Sequence, residues 1–345
     1  MIRQCFAVEH LLNLMKTLDY ARVMVKAARL YYDDGLTQAE IAERLRLSRQ
    51  RVQRLLHQAH ADGIVQISVN PLVGVFSDLE RALEAEFGLA EAIVVETTAS
   101  AASDGQVTAA REVGAGAAEY LLRVVRPKDR ILISWGNSVL GMVNVLSRPR
   151  HIEVDELTVI QGLGGLGDPN DSMHATQLVK RAAYALSAQA VLLPAPAVAG
   201  TPEARDALCR DPYVARTLEM ARAADLAFIG IGSLRSESIL LPEFWKIMTP
   251  SILSELKKGG AVGSTNLRYF DERGRRVRSR FDDCVIGLTL DEIRKIPRVV
   301  GLAGGSTKLP AIRAALEGEL LDVLVTDHLT AQQLLKERKV ARSER

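Results

Sequence analysis

Over residues 37–62 apolar side chains return every three or four positions, which predicts two short helices separated by a tight turn. Ile41, Ala42 and Leu45 form the stripe of the first, and Val52, Leu55, Leu56 and Ala59 that of the second. Thr37 followed by Glu40 is a capping box that starts the first helix, and Ser48, after Arg46-Leu47, caps the second, which runs to about Asp62. Arg49, Gln50, Gln53, Arg54 and His57 are left on the outward faces of the second helix, with Arg51 toward one flank. Upstream, Ala21, Val25, Ala28, Leu30 and Tyr31 predict a packing helix from Asp19 to Tyr32, ended by Asp33-Asp34-Gly35. Downstream, the alternation over Ile64–Val69 predicts a strand placed to serve as a wing. Asn70-Pro71 breaks it, and helical spacing returns from Leu72 to Phe87.

Beyond residue 90 the period changes. Apolar, largely β-branched runs at Ala92–Val95, Ile131–Ser134, Leu157–Ile160, Ala190–Leu193, Leu226–Ile229, Val285–Leu288, Val299–Ala303 and Val323–Thr326 alternate with Ala-rich amphipathic stretches. Near-continuous apolar strands in strand–helix order predict a mostly parallel sheet covered on both faces, an α/β fold. The expected organisation is therefore a leader or mobile arm over 1–18, a winged helix-turn-helix over 19–70, a connecting helix over 71–90 and a larger sheet domain over 91–340. At 345 residues and 48% apolar, the chain can bury two cores.

Charge sharpens this division. Residues 1–70 carry ten Lys/Arg and seven Asp/Glu, an excess of +3 against +2 for the whole chain, so basicity is local. Arg44, Arg46, Arg49, Arg51 and Arg54 fall within eleven residues. A helix of this width enters the DNA major groove, where Arg pairs with guanine and Gln with adenine, and an arginine cluster neutralises phosphates. The expected DNA-contacting set is Thr37, Gln38, Arg46, Ser48, Arg49, Gln50, Arg51, Gln53 and Arg54. The competing reading is a helical hairpin with a solvated charged face, although capping box, turn and charge agree on the former. Cys5, Cys209 and Cys284 show neither metal-ligand spacing nor a disulfide framework. No cofactor or metal is expected, and a reducing cytoplasm is the expected compartment. Residues 1–18, interrupted by Arg3, Glu9 and His10, suit neither a membrane span nor a signal peptide. They read as an arm, or as sequence upstream of a true initiator at Met15.

Open parallel sheets bind ligands where loops leave the carboxyl ends of strands. Three loops there carry suitable residues. Ser134-Trp135-Gly136-Asn137-Ser138 opens a helix and presents backbone N–H groups to an anion. Gln161-Gly162-Leu163-Gly164-Gly165-Leu166-Gly167-Asp168-Pro169 is glycine-rich, and Gly304-Gly305-Ser306-Thr307-Lys308-Leu309-Pro310 adds a cation at a helix start. Together they suggest a pocket for a small phosphorylated molecule. Gly162, Gly164 and Gly167 match GxGxxG, but no acid lies between Asp171 and Glu203 to hold a ribose. Lys308 also admits a plain solvated reading, although a cation there opposes the helix dipole. The run Asp271–Arg276 reads as an exposed hairpin turn, and His151 and His174 lack the spaced partner of a metal site or dyad.

On these residues the chain resembles the SorC family of bacterial transcriptional regulators, in the group of the deoxyribonucleoside and central glycolytic repressors. The stretches that carry the likeness are ARLYYDDGLTQAEIAERLRLSRQRVQRLLHQAHADGIVQI, Ser134-Trp135-Gly136, Gly162–Gly165, ADLAFIGIGS, GAVGSTNLRYFDERG, VVGLAGGSTKLPAI and LDVLVTDHLTAQQLL, spanning Ala21 to Leu335. The resemblance implies a C-terminal domain like the sugar-phosphate isomerases that has kept the pocket and exchanged catalysis for signalling. It places phosphate loops at Gly136, Asn137, Ser138, Gly164 and Gly165 and a pocket lysine at Lys308; Gln161 of the glycine-rich loop and Asn266 complete the expected effector contacts. Where relatives carry an acid after the equivalent of Gly263, this chain has Ser264-Thr265-Asn266. The expected partners are double-stranded operator DNA, a phosphorylated sugar or sugar alcohol, and further copies of the chain as a homodimer or homotetramer, with no membrane. The competing reading is a sugar-phosphate isomerase or deaminase with an appended DNA-binding domain, for which Asp168 is the nearest candidate base.

Overall fold

The computed structural model describes residues 19–66, 74–98, 105–147, 154–168, 170–234 and 247–343. The chain separates into two compact units between residues 70 and 71.

Among the described residues of the first unit, α1 (residues 19–32), α2 (Gln38–Leu45) and α3 (Arg49–Ala61) close around a small core. Ile41, Val52, Leu55 and Ala59 are fully enclosed there with Met24, Ala27, Ala28, Leu30 and Leu56. Val25, expected to pack inward, is instead 38% exposed, and Met24 and Ala27 take the inner face of α1. The capping box forms: Thr37 Oγ1 accepts the Glu40 N–H, and the Glu40 carboxylate accepts from Thr37 N at 2.7 Å. Those bonds to Thr37 hold the Glu40 carboxyl below its usual range. Arg46, left-handed at φ 52°, ends α2, and Ser48 Oγ caps α3 through Arg51 N at 3.2 Å. Residues 64–66 do not form a strand, and the remainder of the expected wing lies outside the described residues.

Among the described residues the second unit runs α4 (Ser77–Phe87), β1 (Glu91–Val95), α5 (Gly105–Val124), β2 (Arg130–Ile133), α6 (Asn137–Leu146), β3 (Thr158–Gln161), α7 (Ala175–Ala185), β4 (Gln189–Val191), α8 (Pro202–Arg210) and α9 (Pro212–Arg222). It continues through β5 (Leu226–Gly230), β6 (Gly232–Ser233), α10 (Pro250–Lys258), β7 (Gly263–Thr265), β8 (Arg268–Phe270), α11 (Arg280–Cys284), α12 (Leu290–Ile293) and β9 (Val299–Leu302). A 3-10 turn (Ser306–Lys308), α13 (Leu309–Glu317), β10 (Val323–Asp327) and α14 (His328–Ser343) complete it. Seven strands make one parallel sheet in the order β1-β10-β9-β5-β2-β3-β4, and β6-β7-β8 form a small antiparallel sheet. Apolar clusters cover both faces of the large sheet, as the unbroken apolar strands require.

From β2 the chain proceeds outward to β3 and β4, then returns to β5 on the other side of β2. The order therefore reverses between β2 and β5, which opens a crevice at their carboxyl ends. At the far edge, β1 is covered by α4, whose Glu84 and Glu80 carboxylates accept from Ala92 N and Val94 N, both at 3.0 Å. Unpaired strand N–H groups are thereby satisfied without a further strand.

One expected strand does not form. Val285–Leu288 joins no sheet; Val285 and Gly287 make isolated bridges to Val198 and Leu163. An apolar run cannot by itself distinguish a strand from a buried crossing segment, and here the run threads beneath two loops. The small sheet escaped the sequence reading because its strands are two or three residues long.

Candidate functional site

A cavity of about 90 Å³ lies at the β2/β5 crevice, several times the roughly 10–15 Å³ one water needs on the same measure. Its floor comes from the loop after β2 (Trp135, Gly136) and the first residues of α6 (Asn137, Ser138). Gly230, Ile231, Gly232 and Ser233, leaving β5, form a second side, and the β7–β8 hairpin (Ser264 to Leu267, with Tyr269) forms a third. Met173, Leu302 and Lys308 close the remainder.

The hairpin is unusual in being buried at its tip. Thr265 pairs with Arg268, so Asn266 and Leu267 are a two-residue turn with φ 47° and 59°, the left-handed pair of a type I′ turn. Asn tolerates that conformation; leucine does not readily, and such strain persists where surroundings over-determine it. Here Ser134 Oγ donates to Asn266 Oδ1, and Asn266 Nδ2 reaches Gly162 O at 3.4 Å. Behind the tip, the Arg268 guanidinium donates to Asp282 Oδ1 at 3.0 Å and to the carbonyls of Asp282, Val285, Gly287 and Leu288. This buried hub holds the cavity wall.

The polar chemistry of the cavity is incomplete in a consistent way. Ser138 Oγ, Ser233 Oγ and Thr265 Oγ1 are buried without a hydrogen-bond partner among the described residues, and all three line the cavity. Buried hydroxyls are normally paired, so three orphans on one cavity mark where a polar ligand would sit. Lys308 has no carboxylate partner among the described residues either, and burial pushes its ammonium down to about 8. Removal from water without a counter-charge disfavours the cation. The amino end of α6, opened by Gly136 at φ 119°, adds N–H groups that favour an anion. No carboxylate lines the cavity among the described residues.

Of the eight expected effector contacts, Gly136, Asn137, Ser138, Asn266 and Lys308 converge on this cavity. Gln161, Gly164 and Gly165 are not among its walls. Gln161 is fully buried, donating to Leu163 O at 2.7 Å and accepting from Thr176 Oγ1 and Leu193 N. Gly164 lets the backbone pass Pro196, where a Cβ would come within 2.3 Å of the carbonyl oxygen, and Gly165 pairs with Ala195 and Ala197 against the His174 ring. Asp168 lies on the exposed loop, accepting from Asn170 N. Missed by the sequence reading were Gly230–Ser233, Met173, Leu267, Leu302 and Tyr269. The first could have been found by the same rule, because Gly230 ends a strand at the sheet's carboxyl edge.

In the first unit, Arg46, Ser48, Arg49, Gln50, Arg51, Gln53 and Arg54 are exposed, as is Thr37, with Gln38 half-buried. None of those four arginines has an ion pair among the described residues. They stand free for an external polyanion.

Comparison with known proteins bears on both units. A family described as "Putative sugar-binding domain" matches residues 73–336, and sigma-70 region 4, a helix-turn-helix family, matches residues 29–61. The deoxyribonucleoside regulator of Bacillus subtilis is 30% identical over 92% of this chain and 98% of its own length. The chain belongs to the SorC family of transcriptional regulators. The transcriptional regulator LsrR of Escherichia coli is also 30% identical, over 91% of this chain and 94% of that protein. The full-length sorbitol operon regulator SorC of Klebsiella pneumoniae superposes with a TM-score of 0.68 at 28% identity, covering 92% of this chain and 99% of that one. These SorC-family relatives are regulators rather than enzymes, so the sugar-binding domain here serves transcription control. Among the described residues no helix is long and apolar enough to cross a membrane.

Proposed function

We propose that this regulator binds an operator duplex through α3 and changes that affinity when the β2/β5 cavity takes up a phosphorylated sugar or sugar alcohol. The observation that carries the effector reading is the convergence, on a single cavity at the amino end of α6, of three hydroxyls and one lysine that have no partner among the described residues. The phosphate lies against the α6 terminus and Lys308; the hydroxyls of Ser138, Ser233 and Thr265 serve the sugar. Ser264-Thr265-Asn266 offers the effector's hydroxyls uncharged hydrogen bonds, weaker than those a carboxylate would make. The protein works in the cytoplasm as a homodimer or homotetramer, since one helix-turn-helix covers too little duplex for operator affinity. A thermal-shift and calorimetric screen of C3 to C6 sugar phosphates against their unphosphorylated parents tests the site. Binding confined to the phosphorylated forms is expected; equal binding of the parents contradicts it.

Within α3, Arg49, Gln50 and Gln53 read bases, while Arg46, Arg51 and Arg54 hold phosphates. Gln50→Ala should then relax preference at about one base pair, costing roughly 1–3 kcal/mol on the selected operator and little on random duplex. Arg51→Ala should weaken every duplex alike and flatten the slope of log K against log salt by about one. Fluorescence anisotropy across a salt series separates the two. Equal losses on operator and random DNA for Gln50→Ala would remove it from the reading set.

A further inference from the structure

The sheet order β9-β10-β1 places the end of β10 between two loops, one after β9 that carries Gly304 to Lys308 and one after β1 that carries Thr97. Two consecutive residues at that end reach in opposite directions. Asp327, 1% exposed, turns toward the β9 loop: its Oδ2 accepts from Gly305 N at 2.8 Å and from Thr330 Oγ1 at 2.7 Å, and its Oδ1 accepts from Thr330 N. Thr330 Oγ1 accepts from the same Gly305 N–H at 2.8 Å. Gly304 packs so tightly that a Cβ there would lie 2.3 Å from Asp327 Oδ2. Gly305, at φ 93°, opens the turn that sets Lys308 on the cavity, so the Asp327 carboxylate fixes the root of that turn.

His328 turns toward the β1 loop. Its Nδ1 accepts from Thr97 N at 3.2 Å, and its ring stacks on Phe76 with centroids 5.0 Å apart and planes 3° from parallel. Phe76 is the cap residue of α4, the first helix of the second unit, and it has no side-chain cap hydrogen bond. The helix itself is fastened along β1 by Glu80 and Glu84. A displacement of the Gly305 turn therefore has a short route to the head of α4, of four links: Gly305, Asp327 with Thr330, His328, and Phe76.

We propose that Asp327 is a positioning residue for the Lys308 turn and that His328 and Phe76 transmit occupancy of the cavity to the head of α4. This rests on the reading of the cavity as a phosphate site. A packed route transmits only if the ligand prefers one arrangement of it, so the consequence is a change in protection at α4 on binding, not mere proximity.

Hydrogen–deuterium exchange of the full chain, with inorganic phosphate and then ribose 5-phosphate as probes, tests this. In the wild type, amides over residues 305–309 and over 76–80 slow at least about fivefold together. In His328→Asn, which keeps an acceptor for Thr97 N but loses the ring, and in Phe76→Leu, slowing persists over 305–309 and disappears over 76–80. Asp327→Asn weakens probe binding about fivefold or more, and adds no further loss in a Lys308→Met background, which a merely destabilising change would not respect. Slowing over 305–309 without 76–80 in the wild type, or both variants retaining both responses, overturns the relay while leaving the cavity's role intact. No response at either segment with either probe overturns the phosphate reading, and the relay with it.

Discussion

Lys308→Met weakens the response to phosphorylated sugars at least about tenfold and, at the same time, stabilises the ligand-free protein. The two effects share one cause. Partly buried and with no carboxylate beside it among the described residues, this lysine is lowered to about 8 from an ordinary value of 10.5. Between those values the unfolded chain binds a proton that the folded chain does not, so stability rises as pH climbs from about 8 toward 10.5. Below about 8 the penalty is present in full. Methionine keeps the stem and removes the charge, so the variant gains about 1–3 kcal/mol at pH 7 and loses the pH slope. An incoming phosphate dianion reverses the lysine's preference, which makes wild-type affinity fall by up to tenfold per pH unit above about 8 as binding takes up one proton. Calorimetry at pH 7 and 9, with thermal melts of the free protein, reads all three. Unchanged affinity in Lys308→Met would remove the lysine from the site.

Arg268→Met destabilises the second unit by about 3–5 kcal/mol, the loss expected when one member of a buried ion pair is removed. Asp282 is 0% and Arg268 4% exposed, and four carbonyls besides Asp282 Oδ1 depend on this guanidinium. Burial works against the cation and the facing Asp282 works for it. Without the arginine, Asp282 keeps Arg276 alone among the described residues, at 2.6 Å on its other oxygen, and the carbonyls of Val285, Gly287 and Leu288 lose this donor. Lysine, with three donors instead of a five-donor fork, recovers only part. Urea denaturation reads the difference, and since Arg268 backs the Asn266-Leu267 tip, effector affinity falls with stability. A loss under about 1 kcal/mol would show that Asp282 finds another partner.

Much of this was legible in the chain. The capping residues Thr37 and Ser48 set the helix starts because their chemistry is local, acting across three residues. Seven of the eight apolar runs were sheet strands because a parallel strand must be apolar on both faces, whatever its neighbours. The eighth, Val285–Leu288, is equally apolar but buried by loops, a difference made by tertiary packing alone. The cavity divided along the same line. Gly136 to Ser138 and Lys308 follow strands and open helical turns, so topology delivers them to the crevice. Gly164 and Gly165 sit after a strand too, yet they are spent on close passage of the 195–197 backbone, which no local pattern distinguishes from a phosphate cradle. The small sheet was hidden both by its short strands and by its hairpin tip, Asn266-Leu267, which is buried against the usual expectation that turns are exposed.

The most direct test is the affinity of the full chain for a duplex selected from a randomised pool, measured with and without a saturating sugar phosphate from the screen, alongside an assay for turnover of that ligand. Tight, salt-dependent binding that shifts at least about fivefold on adding the ligand, with the ligand recovered unchanged, is the predicted result. Indifference to duplex DNA at low ionic strength, identical affinity with and without ligand, or steady conversion of the ligand would contradict it.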